Sequence, residues 1–155
     1  MKKILLIFSV LAVFVACSKD NGGTLLTASM SAKISGADWK ALAPAAVLND
    51  GKFVLTGIAL NGSSLTITIL SDKTGDYALS AISAKCAAAY KKTATSSTDD
   101  GYVAITGKVN LSEVDNSSNR ISGTYNFLLI HSITDTINIT DGKFTSVKFT
   151  NTSGM

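Results

Sequence analysis

The stretch that decides the fold is ISGTYNFLLIH, residues 121–131. Its large apolar side chains recur at every second position, at Ile121, Tyr125, Phe127 and Leu129. Successive side chains of a β-strand point to opposite faces, so a period of two predicts a strand with one buried face. Gly123 interrupts the series, and a glycine inside a strand permits a bend or the close approach of another backbone.

Similar alternation occurs in segments before and after this one. The segments ASMSAKI (28–34) and LTITIL (65–70) place Met30, Ala32, Leu65, Ile67 and Ile69 on apolar faces. In YVAITGKVNL (102–111) we predict that Val103, Ile105, Val109 and Leu111 face the core, opposite Tyr102, Thr106, Lys108 and Asn110. TINIT (136–140) and GKFTSVKF (142–149) follow late in the chain. These segments favour half-buried strands.

The segments between the strands have turn chemistry. They are NDGK, NGSS, DDGY, EVDNSSNR and TDGK, and in them Asp50, Asp100 and Asp141 each precede glycine, as hairpin turns favour. Short strands joined by such turns predict an antiparallel all-β domain. We expect a β-sandwich of about 8–10 short strands, with an up-and-down barrel of the lipocalin kind as the alternative.

Ser80–Lys92 is the one segment that also fits a helix. Its alanines and closing lysines favour a helix, whereas Ile82, Ala84, Cys86, Ala88 and Tyr90 recur with a period of two. We interpret the segment as a strand and keep a short helix as the alternative.

The first sixteen residues are typical of a secretory signal. Lys2 and Lys3 precede an apolar run, Ile4 to Ala16, which is shorter than the roughly 20 residues of a membrane span. FVAC, which ends in Cys17, resembles a bacterial lipobox, and this resemblance implies cleavage before Cys17 and its lipidation. We therefore predict a signal peptide at 1–16, a lipidated cysteine and flexible tether at 17–27, and a single domain at 28–155.

Processing would also change the charge and the cysteine count. Loss of Lys2 and Lys3 leaves twelve of the fourteen basic residues against eleven acidic ones, without a basic cluster. A nucleic-acid partner is therefore not expected, because such proteins need a basic patch. A lipid on Cys17 would leave Cys86 without a partner in the chain, and Cys86 is then expected to be a small buried residue.

Several phrases in a fixed order resemble a family of uncharacterised Bacteroidetes outer-membrane lipoproteins. They are ISGADWKA, GDYAL, GYVAITGKVNL, ISGTYNFLLI and INITDGKFTSVKF, with a Gly-x-x-Trp-x-Ala hairpin first and a Gly-Thr-aromatic-x-Phe strand before a closing hairpin. The resemblance covers about Met30 to Phe149 and implies a small all-β domain of unknown function. It carries over no catalytic residue. In the first motif, Gly36 and Asp38 suit a tight turn, and Trp39 would cap one end of the core with an indole N–H that needs a partner.

Catalytic and metal-binding residues are not indicated. His131 is the only histidine and follows the strand NFLLI, where a solvent-facing histidine is the simplest interpretation. Calcium would need several oxygen ligands, and the pairs Asp72 with Asp76 and Asp99 with Asp100, or the segment DNSSNR, supply an incomplete set. We predict no catalytic residue, no metal and no cofactor.

Two surface features remain as predictions. Trp39, Tyr77 and Tyr102 could contact a ligand such as a sugar ring, although packing in the core or at a strand edge is the favoured explanation of the aromatic residues. Asp135-Thr136-Ile137 resembles an O-glycosylation signal of exported bacterial proteins, with Thr136 as the acceptor.

The predicted function is that of a lipid-anchored cell-envelope lipoprotein. We expect a non-catalytic binding or structural module that contacts the membrane through its N-terminal lipid and a glycan or envelope protein through its domain. The alternative is a small envelope hydrolase. Ser18 rather than aspartate follows Cys17, which by resemblance to a known sorting rule implies the outer membrane, at the cell surface or the periplasmic face.

Overall fold

The computed structural model describes residues 27–93 and 101–153, and these residues form strands and no helix. The strands are β1 (Ser29–Ile34), β2 (Ala37–Lys40), β3 (Ala45–Asn49), β4 (Lys52–Ile58), β5 (Ser64–Ile69), β6 (Gly75–Ser80), β7 (Ser83–Ala84), β8 (Cys86–Lys91), β9 (Gly101–Asp115), β10 (Arg120–Ile130) and β11 (Thr136–Asn151). The all-β prediction is confirmed. In the ambiguous segment 80–92, β7 and β8 show strand instead of helix, and Cys86, Ala88 and Tyr90 are buried as the period of two predicts. The first part of the period was wrong, because Ile82 lies in a turn and is 97% exposed, and Ala84 is exposed as well.

Seven of these strands close into a barrel: β3, β4, β5, β8, β9, β10 and β11. Each pairs with the next in antiparallel fashion, and β11 returns to pair with β3. The closing pair is parallel, with Phe149 opposite Ala46 and Asn151 opposite Leu48. When an odd number of alternating strands closes on itself, two strands of like direction must meet, so the parallel pair follows from the strand count.

The preferred prediction of a β-sandwich is not confirmed, and the up-and-down barrel given as the alternative fits the pairing. Alternation shows which side of a strand is buried, and a barrel and a sandwich both bury one side of each strand. The expectation of short strands was wrong for β9, β10 and β11, which have 15, 11 and 16 residues.

The long strands β9 and β11 change neighbours along their length. The β1–β2 hairpin pairs with β11 between Ile139 and Thr145, whereas β3 pairs with its end. On the other side, β8 pairs with the start of β9 and β6 with residues Gly107 to Leu111. Where these neighbours pair, the backbone N–H and C=O groups of β9 and β11 are hydrogen-bonded on both edges of the strand.

Two β-bulges bend β11. The register against β10 shifts between Tyr125 and Phe127 and again between Ile121 and Gly123. At these points Asp141 and Ser146 adopt positive φ angles of 52° and 50°. The second bulge is held by Ser122 Oγ, which accepts the Ser146 N–H at 3.0 Å, and by Arg120 Nη1, which donates to the Ser146 carbonyl at 2.7 Å. Bulges bend a strand and increase its twist, which suits a strand that serves two neighbours.

The core fills the inside of the barrel and confirms most of the predicted inward positions. Met30, Leu65, Ile67, Ile69, Val109, Leu111, Ile121 and Leu129 are fully buried. The first half of β9 was predicted wrongly, because Val103 and Ile105 are 58% and 45% exposed whereas Tyr102 is 2% exposed. The register between β9 and β10 shifts next to Leu128 and Leu129, and a one-residue shift exchanges the two faces of a strand.

Trp39 is buried in this core, and the indole N–H has the partner that the sequence required. Its Nε1 donates to Ser63 Oγ at 2.9 Å, and the Ser63 hydroxyl donates to Asn61 Oδ1 at 2.7 Å. A Cβ at Gly57 would lie 3.0 Å from Trp39 Cη2 and 2.8 Å from Ala41 Cβ, so this glycine makes room for the indole.

Gly123 on β10 allows the backbone of β9 and the Phe144 ring of β11 to approach closely, and replacing this glycine tests the packing. A Cβ at this position would lie 2.3 Å from the Asn110 carbonyl oxygen and 2.6 Å from Phe144 Cζ. We expect Gly123→Ala to lower the free energy of unfolding by about 1–3 kcal/mol, the usual cost of overpacking, in chemical denaturation. The control is Thr124→Ala at the exposed neighbouring position, and an equal effect of the two substitutions would contradict the account.

Candidate functional site

A polar groove lies on the outside of the barrel, across the three long strands. We call it the Asp141 groove and define it by Lys108 and Asn110 on β9, Thr124 and Asn126 on β10, and Asp141 and Lys143 on β11, which line a depression of about 340 Å³. An adjoining depression of about 440 Å³ shares Asn126 and Asp141 and adds Thr106, Leu128, Asn138 and Thr140. The two depressions form one continuous surface.

Strand pairing brings the residues of the Asp141 groove together. Asn126 lies opposite Lys108 on one side, and Thr124 lies opposite both Asn110 and Lys143. On the other side of Asn126, the bulge sets two residues of β11, Thr140 and Asp141, against one residue of β10. Bulges are found next to functional sites, where they redirect a side chain. Here the bulge gives Asp141 its exposed position between the strands.

The side chains of the Asp141 groove differ in their hydrogen bonding. Asn110 Nδ2 donates to Asp76 Oδ1 on β6 at 2.9 Å. Lys108, Asn126, Asp141 and Lys143 are exposed, and within 27–93 and 101–153 their side chains have no hydrogen-bond or ion-pair partner. These four groups are therefore available to a ligand.

A third depression, of about 270 Å³, continues the surface from Asp141 onto the β1–β2 hairpin. Lys33 and Asp38 there form an ion pair with Nζ and Oδ1 3.6 Å apart. Ser31 and Lys40 lie beside it in the register of the hairpin. The polar outer surface thus runs from β9 to β2.

The three aromatic residues predicted as ligand contacts do not form one exposed surface. Trp39 and Tyr102 are only 6% and 2% exposed. Tyr77 is half-buried, and its hydroxyl donates to the Lys73 carbonyl at 2.5 Å. A sugar could stack on Trp39 or Tyr102 only if the residues around them moved.

Tyr102 instead belongs to a titratable cluster at one end of the barrel. Its hydroxyl donates to Asp135 Oδ2 at 2.6 Å, and Lys92 Nζ lies 4.6 Å from the centre of its ring. The hydrogen bond with Tyr102 raises the pKa of Lys92. His131 packs against the same ring with centroids 5.5 Å apart, and its Nδ1 lies 3.0 Å from the Gly101 carbonyl oxygen. His131 is exposed at the end of β10, as the sequence predicted.

Thr136, the predicted O-glycosylation site, is the first residue of β11 and has an exposed side chain. Its neighbour Asp135 closes the loop that begins at His131, whose N–H donates to the Asp135 carbonyl at 2.9 Å. Glycosylation of Thr136 stays a prediction.

Of the two cysteines, the structure describes Cys86 but not Cys17. Cys17, the predicted lipidation site, lies outside the described residues. Cys86 is a buried free thiol, as predicted, and its Sγ donates to the Tyr77 carbonyl at 3.1 Å. Burial raises the pKa of this thiol, which favours the unreactive protonated form.

Residues 27–93 and 101–153 contain no helix long and apolar enough to cross a membrane.

Of the aspartates predicted to lie in hairpin turns, Asp50 lies in a turn and Asp141 lies in a β-bulge. Asp50 and Gly51 form the β3–β4 turn with φ angles of 47° and 72°, which confirms that hairpin. The same prediction was wrong for Asp141–Gly142, because β11 continues through these residues and the pair forms a bulge instead. Asp99 and Asp100 lie outside the described residues. In the part of the chain that is described, no group of three or more histidine, cysteine or acidic residues is placed to hold a metal ion.

The segment DNSSNR forms the turn between β9 and β10. Asp115 Oδ1 accepts the N–H groups of Ser117 and Ser118 at 2.8 and 3.2 Å, and Oδ2 accepts the Ser118 hydroxyl at 2.6 Å. These hydrogen bonds hold the pKa of Asp115 well below its usual range. The Asp115 carboxylate, which suggested part of a calcium loop, thus accepts hydrogen bonds from residues of its own turn.

One protein family matches most of the chain. Its sequence profile covers residues 26–148, and its description is Domain of unknown function (DUF6252). The chain belongs to this family. No curated protein and no solved structure shows a significant match. The membership agrees with the uncharacterised domain that the motif order implied.

The Asp141 groove of this DUF6252 domain was not predicted from the sequence. Alternation did place Lys108 and Asn110 on the polar side of β9, and the same pattern puts Thr124 and Asn126 on the outer side of β10. Only the strand register shows that these positions lie side by side. The bulge at Asp141 was missed because an Asp-Gly pair is typical of hairpin turns.

The turn at Asp115 in the DUF6252 domain generates a prediction about pH. We expect the Asp115 carboxyl to titrate below the ordinary value of about 3.9 when followed by NMR. Because the folded-state pKa is lowered, the stabilisation is present above the unfolded pKa and is lost as the pH falls through the folded pKa. The double variant Ser117→Ala, Ser118→Ala should raise the pKa of Asp115 toward the ordinary value, and an unchanged pKa would contradict this cause.

Proposed function

We propose that this protein is a lipid-anchored cell-envelope lipoprotein and that its barrel is a non-catalytic module that binds a partner through the Asp141 groove. The anchor is supported by Lys2, Lys3, the apolar run that follows them, and Cys17 directly after Ala16. An anchor of two or more acyl chains holds durably, because each buried methylene contributes about 0.8 kcal/mol. The proposed location is the outer membrane, at the cell surface or the periplasmic face.

The observation that carries the binding role is the contrast between the inside and the outside of the barrel. The interior is filled by large apolar side chains such as Phe53, Phe127 and Phe144, which are at most 3% exposed. Barrels that carry a ligand inside leave room for it, whereas this one has depressions on its outer surface. Four polar side chains without partners in the described residues line them, so a partner would bind outside the barrel.

The alternative of a small envelope hydrolase has one supporting feature, the cluster of Tyr102, His131 and Asp135. A general base must reach a nucleophile within hydrogen-bond distance. The contacts of this cluster are a hydrogen bond from the tyrosine hydroxyl to the carboxylate and a histidine nitrogen beside a backbone carbonyl. This geometry favours a structural role for the cluster, so binding remains the preferred function.

Photo-crosslinking in native membranes tests the binding role. A photoreactive amino acid in place of Asn126, inside the Asp141 groove, should give a defined adduct with an envelope component. The matched control is the same amino acid in place of Val54, which is 36% exposed on β4. Adducts at both positions alike, or none at 126, would contradict the proposed groove.

The same membranes test the anchor. Mass spectrometry of the N-terminal peptide should find a chain that begins at Cys17 and carries acyl groups. An unmodified Cys17, or a chain that still begins at Met1, would contradict the anchor and leave the crosslinking result to be judged by itself.

A further inference from the structure

The two lysines of the Asp141 groove face solvent among neutral register neighbours. Lys108 lies opposite Asn126 on β10 and Ala78 on β6. Lys143 lies opposite Thr124 on β10 and Ser31 on β1. The ion pair of the adjoining hairpin uses other residues, Lys33 and Asp38. Lys108 and Lys143 are therefore available to negative groups of a ligand.

The residues between the two lysines suit hydroxyl groups. Asn126 offers an amide that both donates and accepts, and Thr124 offers a hydroxyl that does the same. Asp141, the one carboxylate of the groove, can accept hydrogen bonds from hydroxyl donors but would repel an anion placed beside it. Tyr125, which underlies the groove, is 3% exposed. The groove therefore offers hydrogen bonds and charge instead of an aromatic face for stacking.

The shape of the groove suits an extended ligand. The depressions of about 340 and 440 Å³ are open and continuous through Asn126 and Asp141. Adjacent strands are about 4.8 Å apart, so the lysines on β9 and β11 are separated by about 10 Å across the sheet. A chain lying across the strands can place one anionic group at each lysine and hydroxyl groups between them.

We propose that the Asp141 groove binds an acidic glycan, a sugar chain with carboxylate or phosphate groups. Lys108 and Lys143 pair with its anionic groups, and Asn126, Thr124 and Asp141 bind its hydroxyl groups. Charge-assisted hydrogen bonds are stronger than neutral ones, which gives the acidic chain its advantage over a neutral one. This inference rests on the proposed function of the groove as the binding surface.

Fluorescence anisotropy with the purified full chain in detergent tests the inference. The labelled ligands are oligogalacturonate, a phosphorylated oligomannose and a neutral oligogalactoside. We expect binding of an acidic oligomer that weakens with added salt and that falls at least about tenfold in the double variant Lys108→Gln, Lys143→Gln. The stronger of the two acidic ligands identifies carboxylate or phosphate as the preferred group.

The control is Lys52→Gln together with a second exposed-lysine substitution, Lys91→Gln, on β4 and β8 away from the groove. This double control removes the same charge and should leave binding unchanged, and thermal unfolding should show that both double variants fold. An equal loss in the control would overturn the inference, as would failure of the wild type to bind either acidic oligomer. Equal binding of the neutral oligomer, lost in Asn126→Ala but not in the groove-lysine variant, would overturn the acidic ligand and leave the binding groove intact.

Discussion

The closing pair of β11 with β3 is the constraint on which the rest of the structure depends. Seven strands that alternate in direction can close only through one parallel pair, here Phe149 to Asn151 against Ala46 to Leu48. The same strand must also pair with β1 between Ile139 and Thr145. One strand can pair with both neighbours because two bulges bend it, and the first bulge gives Asp141 its exposed position on the outer side of β11. The candidate site is thus a consequence of how the barrel closes.

The exterior of the barrel has two unlike sides. Most outer positions of β3, β4, β5 and β8 are small or β-branched and uncharged: Val47, Val54, Thr56, Thr66, Thr68, Ala87 and Ala89. Lys52 and Lys91, at the ends of β4 and β8, are the charged exceptions. Within the Asp141 groove, the outer positions of β9, β10 and β11 are instead lysine, asparagine, threonine and aspartate. Because the interior is filled by side chains, the difference between these outer sides determines where a partner would bind. The Asp141 groove concentrates the hydrogen-bonding groups and the charges on one of them.

The sequence predicted those features that depend on a single strand or turn. Alternation identified the inward side of β10 from Ile121 to Leu129, and Asp50–Gly51 identified the β3–β4 turn, because both signals are local. Trp39 was predicted to need a partner for its indole N–H, but Ser63 lies 24 residues away, so its identity required the fold. Local signals also failed where a bulge intervened. Val103 and Ile105 lie on the outer face of β9 instead of the predicted inner face, and Asp141–Gly142 is part of a strand instead of a turn.

The barrel and the groove are properties of strand pairing, which alternation does not encode. A sandwich and a barrel share the same buried pattern, so the choice between them needed the contact of the last strand with β3. The groove needed the register of three strands, since Lys108, Asn126 and Lys143 carry no signal that links them. The proposed lipid anchor depends on local sequence instead, because the residues that support it form one contiguous segment from Lys2 to Cys17.

The most direct test of the account is a measurement of backbone contacts across the closing pair by NMR. A closed barrel predicts through-space contacts between backbone protons of Val47 and Thr150, in the parallel pattern, in the same sample that shows Val47 paired with Val54. Contacts of Val47 with Val54 alone, with no contact to residues 149–151, would mean that the sheet is open and would contradict the closed barrel.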